Sequence, residues 1–248
     1  MSDQLNQLWQ QAQLTLPESV FAMADHYLNI KVSDFILPCP YWRDKLNQST
    51  GEKVRGFLGG KGTAIEIQTE VNRIMTENQH ESDQISIKSF LKQKKIGVDC
   101  SGLTYNLANA WQMSLDGKSL DDFITHSPGG NPTNPKRFRT SADSLTGQWN
   151  STLIRKIEDV RAGDLIRMQQ GKHVLIILYR SINQILYIHS KEKLYGDCVH
   201  LSYIDLPPDI SSLLNADWHE FTKENKQVSS EYFNPDRGDG VTRFHWWS

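Results

Sequence analysis

The sequence predicts an α+β fold, with helices gathered in its first half and an antiparallel sheet in its second. Two observations carry this reading. As far as residue 111, apolar side chains recur at i, i+3, i+4 and i+7. From residue 157 the texture changes to short β-branched runs bounded by turn residues. Helical runs followed by runs of strands are the pattern of a fold in which helices cover an antiparallel sheet. The 248 residues are 38% apolar and 23% charged, enough for one large domain with a proper core. The expected division is a helical N-terminal region at 1–94, packed on a core at 95–248 that carries an insertion at 114–150.

Leu5, Leu8, Trp9 and Ala12 give residues 2–13 an amphipathic helical stripe. Pro17 can open a second helix, with Val20, Phe21, Ala24 and Leu28 facing the core. Residues 36–63 are irregular, since Pro38 and Pro40 each remove a donor. The run Arg55-Gly56-Phe57-Leu58-Gly59-Gly60-Lys61-Gly62-Thr63 invites a phosphate-loop reading, but the spacing fails. Arg55 stands where the first glycine belongs, and Gly62 where a hydroxyl should bind magnesium. Thr63-Ala64-Ile65-Glu66 instead has the form of a capping box, followed by the stripe Ile67, Val71, Ile74 and Met75. Residues 77–84 are polar. The Lys92–Lys95 cluster is a solvated face or a positive rim favouring an acidic substrate.

Residues 114–150 read as a long connection punctuated by Ser127-Pro128-Gly129-Gly130-Asn131-Pro132 and Asn134-Pro135, of the kind that serves as a surface insertion or a binding loop. His173 to Tyr179 is a nearly continuous apolar run, which suits a strand covered on both faces. Gln184 to His189 is a second strand and Cys198 to Tyr203 a third. A short helix is expected over 211–221, a turn at 234–240, and a closing strand over 241–247, with Trp246 and Trp247 in the core.

The formal net charge of −2 gives no attraction to nucleic acid or to an anionic membrane. No apolar run approaches a membrane span. The first residues lack a Sec-type signal, so the expected location is cytoplasmic. Cys39, Cys100 and Cys198 are too few and too scattered for a disulfide framework or a zinc site. No metal and no cofactor are expected.

Asp99-Cys100-Ser101-Gly102-Leu103 is the stretch that carries chemistry. Leu107, Ala110 and Trp111 continue it at helical spacing, so Cys100 falls in the first turn of a helix. Free N–H groups and the helix dipole favour a thiolate there. A lone cysteine in that position also reads as a small buried side chain. The hairpin near residue 181 supplies a base. A three-residue loop at 180–182 sets His173 directly opposite His189, with Cβ atoms roughly 5 Å apart. A two- or four-residue loop sets Ser190 there instead. Two imidazoles on one face, with a thiol at hand, form a nucleophile, base and orienter. Two such imidazoles also suit part of a metal site, but no third strong ligand is obvious nearby; Cys198 and His200 are on offer, with a spacing that is not diagnostic.

Asp99-Cys100-Ser101-Gly102-Leu103, then Gly163-Asp164-Leu165-Ile166, then His173-Val174, resembles the NlpC/P60 superfamily of papain-like cysteine peptidases and amidases. The resemblance covers roughly residues 95–205. It implies a papain-like fold with the nucleophile helix packed on an antiparallel sheet. Cys100 is then the nucleophile, His173 the base and His189 the third residue. Asp99 and Ser101 support the site, and Tyr41 is the counterpart of a tyrosine near the thiol. The implied activity is hydrolysis of a peptide or amide, muropeptide-like, through a thioester. An acyltransferase using the same thiol and a binding module without turnover are the alternatives. The chain departs from the family in Leu175, where glycine follows the His-Val pair, and in the wide separation of Pro40-Tyr41-Trp42 from Gly59-Gly60.

Overall fold

The computed structural model describes residues 2–78, 84–128, 131–192, 197–208, 210–222 and 226–247. The first two helices are α1 (Asp3–Thr15), capped by Ser2, and α2 (Glu18–Leu28), which opens at Pro17 as expected, with the proline just before its first residue. Leu8, Ala12, Val20, Ala24 and Leu28 are buried, as the periodicity requires. Two short hairpins follow, β1 (Ile30–Val32) with β2 (Phe35–Leu37) and β3 (Lys45–Leu46) with β4 (Lys53–Val54). Next come α3 (Ala64–Asn78) and α4 (Gln84–Gln93). The capping box at the head of α3 is present: Glu66 Oε2 accepts from Thr63 N–H at 2.7 Å, and Thr63 Oγ1 accepts from Glu66 N–H at 3.2 Å.

The central helix is α5 (Cys100–Asp116). Asp99 caps it, its Oδ1 accepting from Gly102 N–H at 2.6 Å. Gly117, left-handed at φ 76°, ends it. The 114–150 stretch is more structured than a bare connection. Its helical turns lie at Leu120–Asp122 and Lys136–Phe138, followed by α6 (Ala142–Thr146). Gly129 and Gly130 of the expected turn lie outside the described residues.

The remaining strands are β5 (Ser151–Ile154), β6 (Leu165–Met168), β7 (His173–Arg180), β8 (Gln184–Ser190), β9 (Val199–Asp205), β10 (Asp217–Trp218) and β11 (Gly240–Phe244). Among the described residues they form one antiparallel sheet in the order β10-β9-β8-β7-β6-β11-β5. The last strand is inserted between β5 and β6, so it closes the sheet from within. After β10 the chain forms α7 (Val228–Tyr232). The helix expected over 211–221 is not formed. Beyond a single turn at Leu213–Asn215 that segment is extended, and Trp218, Glu220 and Thr222 are buried while Asp217, His219 and Phe221 are exposed. That alternation is the period of a strand.

Both faces of the sheet are covered, as the continuous apolar run of β7 demands. Val174, Ile176, Leu178, Leu186 and Ile188 join one core with α1, α2, α3 and α5. Leu175, Ile177, Ile185 and Tyr187 join a second core with Trp218, Val228 and Phe233. The N-terminal helices therefore share their core with the sheet. The molecule is a mixed α/β protein built on an antiparallel sheet. No described helix is long and apolar enough to cross a membrane.

Candidate active site

The candidate residues gather where the first turn of α5 meets the beginning of β7. Two segments far apart in sequence hold that turn. Tyr41 bridges Val98, and the Asp99 N–H donates to the Gly60 carbonyl at 2.9 Å. Gly60 stands at φ 78°, and a Cβ there would collide with the Trp42 carbonyl. A Cβ at Gly102 would collide with the Gly60 carbonyl. So Pro40-Tyr41-Trp42 and Gly59-Gly60, separated in the sequence, pack together against the turn that carries Cys100.

Lys61 ties this corner together from within. It is 9% exposed. Its Nζ donates to Asp99 Oδ1 at 2.9 Å, to the Thr140 carbonyl at 3.2 Å and to Ser101 Oγ. Asp99 also accepts from the Ser101 hydroxyl at 3.0 Å. Asp99 and Ser101 thus brace the helix start, and Thr140 joins it to the 114–150 insertion.

Cys100 is 8% exposed. The N–H groups of Val174 and Ser101 lie close enough to its sulfur to favour the thiolate. The thiol therefore lies one residue along β7 from His173. Burial pushes it up to about 11, the Asp99 carboxylate adds to the shift, and Lys61 with the two N–H groups opposes it. The expectation of a favoured thiolate at the helix start is corrected here: desolvation and a neighbouring carboxylate outweigh Lys61 and the two N–H groups, which favours the protonated thiol. Tyr41 is close enough that its phenol, raised first by burial, is raised further by Cys100.

His173 and His189 are joined, though not by the expected register. The hairpin closes through four residues, with Arg180 opposite Ile185 and Tyr179 opposite Leu186. A bulge at Leu178 then shifts the pairing, so that Ile177 faces Tyr187 and Ile176 faces Ile188. Continued to the strand end, this register sets Leu175 opposite His189 and Lys191 opposite His173. The two imidazoles are diagonal neighbours on one face. Without the bulge, Ser190 would share that face. Instead Ser190 turns away and donates to the Val98 carbonyl at 2.7 Å. The His173 and His189 ring centroids are 5.0 Å apart, and His173 Nε2 lies 2.7 Å from His189 Nδ1.

The chain of contacts continues beyond what the sequence reading found. His189 Nε2 lies 2.7 Å from Glu220 Oε1, and the same oxygen contacts His200 Nε2. Tyr187 donates to Glu220 Oε2 at 2.7 Å. His200 is the Cα partner of His189 on β9, and its Nδ1 lies 3.0 Å from the Cys198 carbonyl. Burial holds His173 well below the usual imidazole range, with the charges of Lys191 and His189 adding to it. Burial likewise takes His189 down to about 4, against the pull of Glu220. Burial opposes charge at His200 as well, but the Glu220 carboxylate wins and raises it. Glu220 itself is held well below the carboxylate range by His189 and His200, despite burial.

Lys191 was not foreseen either. It is 8% exposed, its Nζ has no hydrogen-bond partner among the described residues and lies 3.5 Å from the centre of the Tyr232 ring. Burial pulls it down to about 8, while Glu220 and Cys100 both favour its charged form. It senses both ends of the site.

Among the described residues no hydrogen bond joins Cys100 to His173, and none reaches His173 Nδ1. His189, His200 and Glu220 present ligand atoms within 4.8 Å of one another. Donors on a tetrahedral first-row metal stand about 3.3 Å apart. Here Glu220 meets His189 at 2.7 Å, and His200 also within hydrogen-bond reach, so the spacing is that of groups sharing protons. A cleft of ≈ 740 Å³ opens beside Asp99 and Ser101, lined also by Arg43, Arg55, Lys61 and Arg139. A cavity of ≈ 900 Å³ lies at the far end of the β7–β8 hairpin, around Arg180 and Ile182. The chain matches no protein-family model, no curated protein and no solved structure.

Proposed function

We propose that this chain is a thiol hydrolase of the NlpC/P60 kind, with a papain-like core, that cleaves a peptide or amide bond. One observation carries the reading. Cys100 opens α5 with its sulfur near the Val174 N–H, one residue along β7 from His173, whose Nε2 is hydrogen-bonded to His189. Both partners rest neutral, so attack and proton transfer are concerted. The Cys100 thiol gives its proton to His173 Nδ1 as the sulfur bonds to the carbonyl carbon. The carbonyl electrons move to oxygen, and the tetrahedral adduct collapses to a thioester. His173 passes the proton to the departing amine. Water, deprotonated by His173, then releases the acid and restores the thiol. General-base assistance of this kind contributes ~10²–10⁴ in rate.

Asp99 already uses the N–H of Gly102 through its side chain and that of Leu103 through its carbonyl. The Cys100 N–H remains available to the oxyanion, and such a donor is worth about 3–4 kcal/mol. Arg43, Arg55 and Arg139 line the adjoining cleft with no carboxylate partner among the described residues, which suits a substrate bearing carboxylates. The substrate class that fits is a muropeptide-like peptide. The test is cleavage of a panel of peptides containing a D-γ-glutamyl–diamino acid linkage. Wild type is expected to cleave and Cys100→Ala to be inert. Cleavage that survives Cys100→Ala overturns the proposal.

A further inference from the structure

The hydrogen bonds of the buried cluster fix where its protons sit. A carbonyl oxygen only accepts, so His200 Nδ1, facing the Cys198 carbonyl, carries a proton. Glu220 is ionised between two imidazoles and the Tyr187 hydroxyl, and an ionised carboxylate also only accepts. His200 Nε2 therefore carries a second proton, and His200 is an imidazolium. His189 Nε2 faces the same oxygen and must donate to it. A neutral His189 then has its lone pair on Nδ1, which faces His173 Nε2 at 2.7 Å. His173 Nε2 is accordingly the donor, and the lone pair of neutral His173 rests on Nδ1, the nitrogen with no hydrogen-bond partner among the described residues.

We propose that Glu220, with His200 holding it ionised, is a positioning residue that sets the tautomer of His189 and through it that of His173. This rests on the reading of His173 as the base for Cys100. Removing the acceptor frees His189 to carry its proton on Nδ1 and to donate it towards His173. His173 must then place its own proton on Nδ1, and no lone pair is left for a thiol. One carboxylate thus controls two rings in series. The other titratable groups against the cluster are Cys100 and Lys191 at the His173 end and Tyr187 at the Glu220 end.

The experiment is ¹⁵N NMR of histidine-labelled protein without substrate, so it reads tautomers whatever the chain hydrolyses. At pH 7 wild type is expected to show His173 and His189 protonated on Nε2 alone and His200 protonated on both nitrogens. In Glu220→Leu the protons of His173 and His189 are expected on Nδ1, with cleavage of the panel substrate reduced roughly 10²-fold or more, by analogy with other tautomer losses. Glu220→Gln keeps an acceptor without the charge. It should retain the His189 tautomer and recover part of the rate, while His200 loses one proton. A wild-type His173 protonated on Nδ1 overturns the proposal even if no variant folds. A folded Glu220→Leu protein with wild-type rate and pH profile overturns it as well. Cleavage that survives Cys100→Ala overturns the hydrolase reading and leaves the tautomers untouched, which separates the two failures.

Discussion

Alkylation of Cys100 by iodoacetamide tests the thiol–imidazole partnership without knowledge of the substrate. The perturbation is His173→Ala. A thiol raised to about 11 is ionised at pH 7 in only about one molecule in 10⁴. If the thiolate alone reacts, the rate climbs tenfold per pH unit up to pH 11. A base at His173 Nδ1 opens a second route that needs no free thiolate. It turns on as His173 loses its proton, well below the usual imidazole range, and stays flat above that. Wild type is therefore expected to show a plateau from about pH 6. His173→Ala should react ~10²–10⁴ more slowly at pH 7. The gap should close tenfold per unit as the thiolate route takes over. The rate at Cys100 is read by mass spectrometry of the digested protein, which separates it from Cys39 and Cys198, both buried. Identical pH profiles for wild type and His173→Ala would refute the reasoning, because the imidazole would then have no part in taking the thiol proton.

Lys61→Met removes a largely buried ammonium at the edge of the cleft and leaves Asp99, among the described residues, with the Gly102 N–H and the Ser101 hydroxyl. Breaking a buried pair on one side costs about 3–5 kcal/mol, and the two remaining donors favour the lower figure. With a urea slope of about 3 kcal/mol/M, the midpoint should fall by about 1 M, and a shift under a third of that would show that the pair does not hold the corner. Acid should also unfold the protein early. His189 is about 4 in the folded chain against 6.5 unfolded, so the unfolded state takes up its proton first as pH falls. That alone removes of the order of 3 kcal/mol between pH 6.5 and 4, and protonation of Glu220 adds to the loss at lower pH. Urea midpoints that stay constant from pH 7 to pH 4.5 would contradict the buried neutral imidazole.

The helices were legible because their signals are local. The stripes of α1, α2 and α3 and the Thr63–Glu66 box involve residues within one or two turns of each other. Cys100, His173 and His189 were legible too, as motif residues on elements that formed where expected. The geometry that joins the imidazoles was not. It depends on a bulge at Leu178, and a bulge accepts ordinary residues, so an apolar run hides it. Glu220 was lost to a different cause. Reading 211–221 as a helix scrambled its faces, although the order Trp218, Glu220, Thr222 against His219, Phe221 carries a strand period. A glutamate on the inward side of that period was the available signal. Lys61 was read against a phosphate loop, and its partners lie 38 to 79 residues away, beyond any local pattern.

The same alternation that builds the second core also lines up the imidazole cluster. Along β7 the inward positions run Ile177, Leu175, His173; along β8, Ile185, Tyr187, His189; along β9, Ile204, Ser202, His200. Each strand ends its buried row with an imidazole, and Glu220 follows Trp218 on the neighbouring edge. Such a cluster can be buried only near zero net charge, and the pairing of His200 with Glu220 leaves His189 and His173 neutral. In the proposed reaction His173 gains the thiol proton, and the cluster becomes cationic. Its carboxylate, two hydrogen bonds away, steadies that charge, while buried Lys191 opposes it. A base placed between these two influences takes a proton when the sulfur attacks and gives it up readily to the departing amine, which is the behaviour thioester formation requires.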